Sequence, residues 1–237
     1  MMTKELFRSD SYLTSCDAFV VSADSSGIEL DRTVFYATGG GQPGDQGILR
    51  LTDGREIHIS GCHKDRESGQ HLHIPAEGTA LPAVGERVTA EIDWVRRHKL
   101  MRMHSCLHLL CALIDGGVTG GQVGEKKSRL DFDLEDTTLD KEALTDQLNR
   151  LITDNHPVVI SSISDADLVA NPDLVRTMSV QPPTGAGQVR LISIGGVDLQ
   201  PCGGTHVKAT GEIGPVRVGK IENKGKHNRR INVHFET

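Results

Sequence analysis

The sequence predicts an α+β protein, with a small β-barrel or sandwich over residues 1–92 and a mixed α+β unit over residues 93–237. Three observations predict this. Short apolar or alternating runs broken by Gly, Asp and Pro fill the first ninety residues. A stretch free of Pro and Gly, with apolar residues at helical spacing, opens at Trp94. Beyond it helix and strand patterns alternate, with no internal repeat.

The runs AFVVSAD, RTVFYA, GILRLT, EIHISG and RVTAEID read as strands, and Leu81-Pro82-Ala83-Val84-Gly85 as the loop before the last. From Trp94 to about Ile114, Leu100, Met103, Leu107, Leu110 and Ile114 recur on one helical face. Asp115-Gly116-Gly117 stops that helix, with glycine expected in a left-handed cap. A second helix fits Leu139 to Asn155, after acidic residues that suit its positive end. Strands fit Ser128–Leu134, Val158–Ile163, Val189–Ile194, Pro215–Ile221 and Arg230–Phe235.

Composition excludes several classes. No window approaches the roughly 18 apolar residues of a membrane helix. The first twenty residues mix charges through any apolar region, which argues against a secretory signal. Aromatics make up 3% of the chain, so Val, Ile, Leu and Ala must form the core. Cys16, Cys62, Cys106, Cys111 and Cys202 are odd in number and scattered, which predicts free thiols and a cytoplasmic location rather than a disulfide framework. The net charge of −6 argues against tight non-specific binding of DNA or other nucleic acid. Charge is uneven, however. Residues 131–146 are strongly acidic, Arg96, Arg97, Lys99 and Arg102 crowd one stretch, and Arg217, Lys220, Lys224, Lys226, Arg229 and Arg230 crowd another. A charge run is ordinarily a solvated face.

Two motifs carry metal chemistry. His104 and His108 stand four apart in the first helix, one turn above each other, so both imidazoles can meet one ion. Cys202-Gly203-Gly204-Thr205-His206 is a loop whose glycines can fold Cys and His toward a common point. Three imidazoles and a thiolate suit Zn²⁺, one per chain. Ser105 stands where a zinc protease carries its Glu base. About ninety residues separate the motifs, unlike a zinc finger, and the spacing fits a structural or a hydrolytic ion equally. Cys111 reads as a buried apolar cysteine. His58, Cys62, His63, His71 and His73 form a rival group without ligand spacing, expected to be solvated or structural.

A third motif, FYATGGGQPGDQG at 35–47, places three glycines in a row. Either something approaches this loop closely or its torsions are unusual. It is not a phosphate loop, since no Gly-Lys-Ser/Thr follows. A tight barrel hairpin is the plain alternative.

Taken in order, TVFYATGGGQPGDQG, DWVRRHKLMRMHSCLHLL and LQPCGGTHVKATGEIGPVRVGKIENKGKHNRRI resemble the alanyl-tRNA editing proteins of AlaX type, in their medium-length form. These are similar to the editing region of alanyl-tRNA synthetase. The resemblance spans nearly the whole chain and implies a translation-factor-like β-barrel followed by an α+β editing domain. It implies zinc on His104, His108, Cys202 and His206, and an acyl site lined by Thr38, Gly39, Gly40, Gly41 and Gln42. The implied activity is zinc-dependent trans-editing, which deacylates Ser-tRNA(Ala), with Gly-tRNA(Ala) as a further substrate, at the tRNA acceptor end. Lys220, Lys224, Lys226, Arg229 and Arg230 are the candidates for tRNA contact. A non-catalytic tRNA-binding protein with structural zinc and a hydrolase of other esters stay open as alternatives.

Overall fold

The computed structural model describes residues 2–134, 139–178 and 187–236, so residues 135–138 of the acidic stretch lie outside the described residues. The fold is α+β and divides into two compact units, Met1–His98 and Lys99–Thr237.

The first unit contains β1 (Lys4–Glu5), β2 (Ser15–Asp24), β3 (Gly27–Leu30), β4 (Arg32–Thr33), β5 (Gly47–Leu51), β6 (Glu56–Lys64), β7 (His71–Pro75) and β8 (Arg87–Ile92). Six of these close an antiparallel barrel in the order β2-β3-β7-β6-β5-β8. Alternation decides what faces inward: Leu49 and Leu51, Ile57 and Ile59, and Val88, Ala90 and Ile92 fill the barrel. Burying each of the larger aliphatic side chains contributes about 1.5–3 kcal/mol. Register shifts at Val20/Ser22 and Ile59/Gly61 supply local bends that help the sheet curl. The expected strand RTVFYA is corrected. Only Arg32–Thr33 pairs, with β1, while Val34, Phe35, Tyr36 and Ala37 are buried but leave the ladder. Burial without pairing makes such a run look like a strand in sequence.

Helix α1 (Trp94–Leu113) starts before the boundary between the units and ends after it. It is followed by β9 (Gly117–Gln122), β10 (Lys127–Asp133), α2 (Lys141–Thr153), β11 (Val158–Ser164), α3 (Asp165–Ala170), β12 (Gln188–Ile194), β13 (Asp198–Pro201), β14 (Val216–Asn223) and β15 (Asn228–Phe235). Two antiparallel sheets result, β14-β15-β10-β9 and β11-β12-β13. Asp140 caps α2 by accepting from the N–H groups of Glu142 and Ala143, and Leu144, Leu148 and Ile152 form its buried stripe. Across the edge strand β14, Asn149 both donates to Val216 O (2.7 Å) and accepts from Val216 N (2.9 Å), which covers an edge that would otherwise be open. The expected left-handed cap after α1 is corrected: neither Gly116 nor Gly117 has positive φ. Gly116 is small because a Cβ there would lie 2.6 Å from Leu134 Cδ2, and Gly117 opens β9.

Candidate metal centre

From Met103 to Cys111 every residue of α1 is buried, so the helix is enclosed on all sides rather than along a single stripe. His104 and His108 lie within this segment, with ring centroids 5.4 Å apart. The loop after β13 carries the second pair. Arg190 Nη1 fixes that loop by donating to Cys202 O (2.7 Å) and Gly204 O (2.9 Å), and Cys202 N donates back to Arg190 O (3.1 Å). The His206 ring centroid then lies 4.3 Å from that of His104 and 4.7 Å from that of His108. One donor atom from each of His104, His108, Cys202 and His206 lies within 4.8 Å of the other three. Cys202 Sγ is 3.2 Å from His206 Nε2 and 3.6 Å from His104 Nε2. A tetrahedral zinc with ordinary bond lengths has S···N edges of about 3.5 Å, so the donor set fits that ion.

Two further residues, not among the sequence candidates, orient the imidazoles. His108 Nδ1–H donates to Asp198 Oδ2 (2.7 Å), whose other oxygen accepts from Gln200 Nε2 (2.8 Å). Ser105 Oγ lies 3.1 Å from His206 Nδ1 and accepts from Val207 N (3.3 Å). Each contact holds Nδ1 and leaves Nε2 for the shared centre, as the outer partners of metal ligands do. The serine that replaces a protease's Glu is thus a ring holder. Its place between the two histidines was a signal, as was an acidic residue four before Cys202, but neither names its partner. Burial acting alone would raise the Cys202 thiol; the charges of His104 and His206 reverse this and hold it well below its ordinary pKa. Burial likewise opposes charge on His108, yet Asp198 and Cys202 push that group up to about 10. For His206, burial and then the neighbouring His104 charge bring the value down to about 3.

The glycine loop belongs to the first unit. Gly39 and Gln42 exchange backbone hydrogen bonds of 3.0 and 2.9 Å around Gly40 and Gly41, which take φ of 54° and 79°. That conformation disfavours any Cβ. Gly44 answers a different need, since a Cβ there would sit 2.2 Å from Cys62 O. Thr38 ties the loop down: its N donates to Cys62 O (2.8 Å), its Oγ1 donates to the same oxygen (3.1 Å), and Gly44 N donates to Oγ1 (2.8 Å). Thr38, Gly40 and Gly41 are exposed, Gly39 is half-buried, and Gln42 is fully buried. The neck is closed by Tyr36 N donating to Asp45 Oδ2 (2.6 Å) and Asp45 N donating to Tyr36 O (2.9 Å). Arg97 anchors Asp45, with Nε 3.0 Å from both carboxylate oxygens and its terminal nitrogens donating to Ser11 O (2.9 Å) and Val34 O (2.7 Å). Arg97 is therefore no part of a solvated basic face. It is fully buried.

The second basic cluster also divides. Lys220, Lys224 and Lys226 are exposed. Arg229 is buried and donates to carbonyls of its own turn, at Gly225 and Lys226 (3.2 and 3.4 Å). Arg230 makes a two-point pair with Asp131 at 2.8 and 2.9 Å. The histidine group of the barrel splits in the same way: His58 and His63 are exposed, whereas Cys62, His71 and His73 are buried, so the expected solvated or structural group divides between the two.

Comparison with known proteins adds the following. Residues 189–232 match the family described as threonyl and alanyl tRNA synthetase second additional domain, and residues 11–96 match that of tRNA synthetases class II (A). The chain is 38% identical to an alanyl-tRNA editing protein AlaX-M of Methanosarcina acetivorans, over 97% of this chain and 98% of that one. It is 34% identical to the protein of the same name in Saccharolobus solfataricus, with equal coverage. An alanine–tRNA ligase of Pyrobaculum arsenaticum is 34% identical over 93% of this chain, which spans 25% of the ligase. Likeness over 97% of this chain and 98% of the shorter relatives decides the family: the chain belongs to the alanyl-tRNA editing proteins of AlaX-M type.

Proposed function

We propose that the protein is an aminoacyl-tRNA deacylase that clears serine, and secondarily glycine, from the acceptor end of tRNA(Ala) in the cytoplasm, with one zinc ion held by His104, His108, Cys202 and His206. The observation that carries this reading is the convergence of three imidazoles and one thiolate, from a buried helix and an anchored loop, within 4.8 Å of one another. Zinc held there supplies Lewis acidity toward an ester carbonyl and lowers the pKa of water toward neutrality. Asp198 Oδ2 accepts from His108 Nδ1 and Ser105 Oγ lies against His206 Nδ1, so in this reading both rings bind the ion through Nε2. We read the barrel, over residues 1–92, as the translation-factor-like domain, and residues 93–237 as the editing domain. In this reading Thr38, Gly39, Gly40, Gly41 and Gln42 shape the acyl site. The Thr38 proton is committed to Cys62 O, so toward serine Oγ1 acts as an acceptor. Alanine offers it no donor, which is how a site can spare the smaller, correct amino acid. Lys220, Lys224 and Lys226 are the phosphate contacts of this reading, while Arg229 and Arg230 shape the turn between β14 and β15.

The test is hydrolysis of Ser-tRNA(Ala), Gly-tRNA(Ala) and Ala-tRNA(Ala), with and without a chelator, by wild type and Cys202→Ala. Metal-dependent loss of the seryl ester, with the alanyl ester spared, is the expected result. Full activity in metal-free protein would remove the ion from the reaction. Tight tRNA binding without deacylation would favour the alternative, a tRNA-binding protein whose closed set of four donors holds a structural ion.

A further inference from the structure

Strand pairing brings three chemistry-bearing side chains together inside the barrel. Cys62 on β6 lies directly opposite His73 on β7, and His71 lies two residues along the same face. All three are buried, and one donor atom of each lies within 4.8 Å of the other two. The imidazoles of His71 and His73 stack at 5.1 Å, and Phe35 meets the His73 ring edge-on at 5.2 Å. His71 Nδ1–H donates to Glu5 Oε1 (3.1 Å), which also takes Lys64 Nζ at 3.0 Å. Its other nitrogen, Nε2, is buried and meets no hydrogen-bond partner among the described residues. A buried ring nitrogen without a partner calls for a physical explanation. A carboxylate behind one nitrogen with the other left open is the arrangement of a metal-ligating histidine.

We propose that Cys62 Sγ and His71 Nε2, joined by His73 Nε2, form a metal site for the cuprous ion inside the barrel. Softness favours this ion, because thiolate with imidazole in low coordination number suits Cu⁺. Charge favours it too. The Cys62 thiol gives up its proton to bulk solvent as the Cu–S bond forms, so one unit of positive charge replaces another and the buried pocket gains none. A divalent ion on the same ligands would leave an extra charge buried, which is costly. His73 Nδ1–H donates to Ile28 O (2.9 Å), and Nε2 accepts from Thr33 Oγ1 (2.8 Å). Turning that hydroxyl away releases the third ligand.

The experiment titrates Cu⁺ anaerobically against bicinchoninate as competing chelator, in the Cys202→Ala full-length chain, so that uptake cannot come from that thiol. One ion should bind and release one proton, and adding either Cys62→Ala or His71→Gln should weaken binding at least a hundredfold. Copper K-edge absorption on the parent should show one sulfur with nitrogen neighbours, a reading that needs no further variant. A shell with no sulfur or with two would overturn the site. So would unchanged affinity in Cys62→Ala and His71→Gln proteins that keep the parent's circular dichroism and unfolding midpoint.

Discussion

Asp45→Asn tests how the glycine loop is held. Asp45 and Arg97 are 1% and 0% exposed, and Asp45 faces two sets of donors at once: the Arg97 guanidinium and the Tyr36 N–H. An asparagine amide must turn its NH₂ toward one of them, so one donor always faces another. Leaving a buried donor unpaired costs about 1–3 kcal/mol. The guanidinium, still close to Ser11 O and Val34 O, also loses its counter-charge. Breaking one side of a buried pair costs about 3–5 kcal/mol in all. Arg97→Met should cost a similar amount. The double variant should cost clearly less than the sum, with a coupling of about 2 kcal/mol or more, because neither partner is then stranded. Equilibrium urea unfolding of the four proteins gives the cycle, and seryl ester hydrolysis well below the unfolding midpoint reports the loop. Because Asp45 closes the loop neck, Asp45→Asn should also slow hydrolysis in the fraction that remains folded. A loss under about 1 kcal/mol in Asp45→Asn, or simple additivity in the double variant, would refute the reasoning.

Other consequences follow from the same contacts. In the proposed zinc site the ion must displace the proton that Asp198 and Cys202 retain on His108 up to about pH 10, against the pull of burial, so affinity should rise with pH. Competition against a chelator should show about a tenfold gain per pH unit between roughly 7.5 and 9.5, and a flat profile would contradict it. Thr38→Val removes both hydroxyl contacts that tie the loop to Cys62 and Gly44, so it should lose about 1–3 kcal/mol of stability as well as seryl activity, whereas Thr38→Ser should keep both. Equal behaviour of the two variants, in melting and in hydrolysis, would show the hydroxyl to be idle. Three exposed lysines give a salt slope of about 2.1–2.7, so tRNA affinity should fall about 20- to 40-fold from about 50 to 200 mM salt. Neutralising Lys220, Lys224 and Lys226 should flatten that slope while Arg230→Gln leaves it alone, as binding titrations at several salt concentrations would reveal.

What could be read in advance was local pattern. The HxxxH spacing of α1 and the glycines between Cys202 and His206 needed no tertiary knowledge, because a helical turn and a tight loop are short-range geometry. Five strands of the second unit were readable for the same reason, as in Asn228–Phe235 with its alternating Ile231, Val233 and Phe235, whereas Gly117–Gln122 and Asp198–Pro201, short or rich in glycine and polar residues, were not. Partnership was not readable. Arg97 and Arg230 look alike in a charge count, yet one is enclosed with Asp45 and the other paired with Asp131, a residue about a hundred positions away. Strand register concealed Cys62 and His73 in the same way, since nothing local says which residues of β6 and β7 stand opposite. Glu29 hid β3: a buried acidic residue breaks the apolar run, and its Ser22 and Gln70 partners come from elsewhere in the chain.

The contacts around the four donors bear on whether an ion there is a staple or a reagent. In a zinc finger the metal supplies the folding energy, because little else joins its ligands. Here protein hydrogen bonds over-determine every element that carries a donor. Ser105 holds His206 and also receives Val207 N, while Asp198 holds His108 and is itself steadied by Gln200. Arg190 clamps two carbonyls of the Cys202 loop, and β13 is paired along β12. α1 is buried from Met103 to Cys111 through apolar side chains that owe nothing to the ion. A cation added to such a frame has little loop entropy left to remove, which favours the proposed chemical role of the ion over the structural alternative. Hydrolytic and editing sites need that kind of frame, since a reacting group must meet donors already fixed in place. Against the pull of burial, Asp198 and Cys202 raise the proton affinity of His108, whereas burial and the charge of His104 lower that of His206, so the two imidazoles stand on opposite sides of neutrality within one cluster.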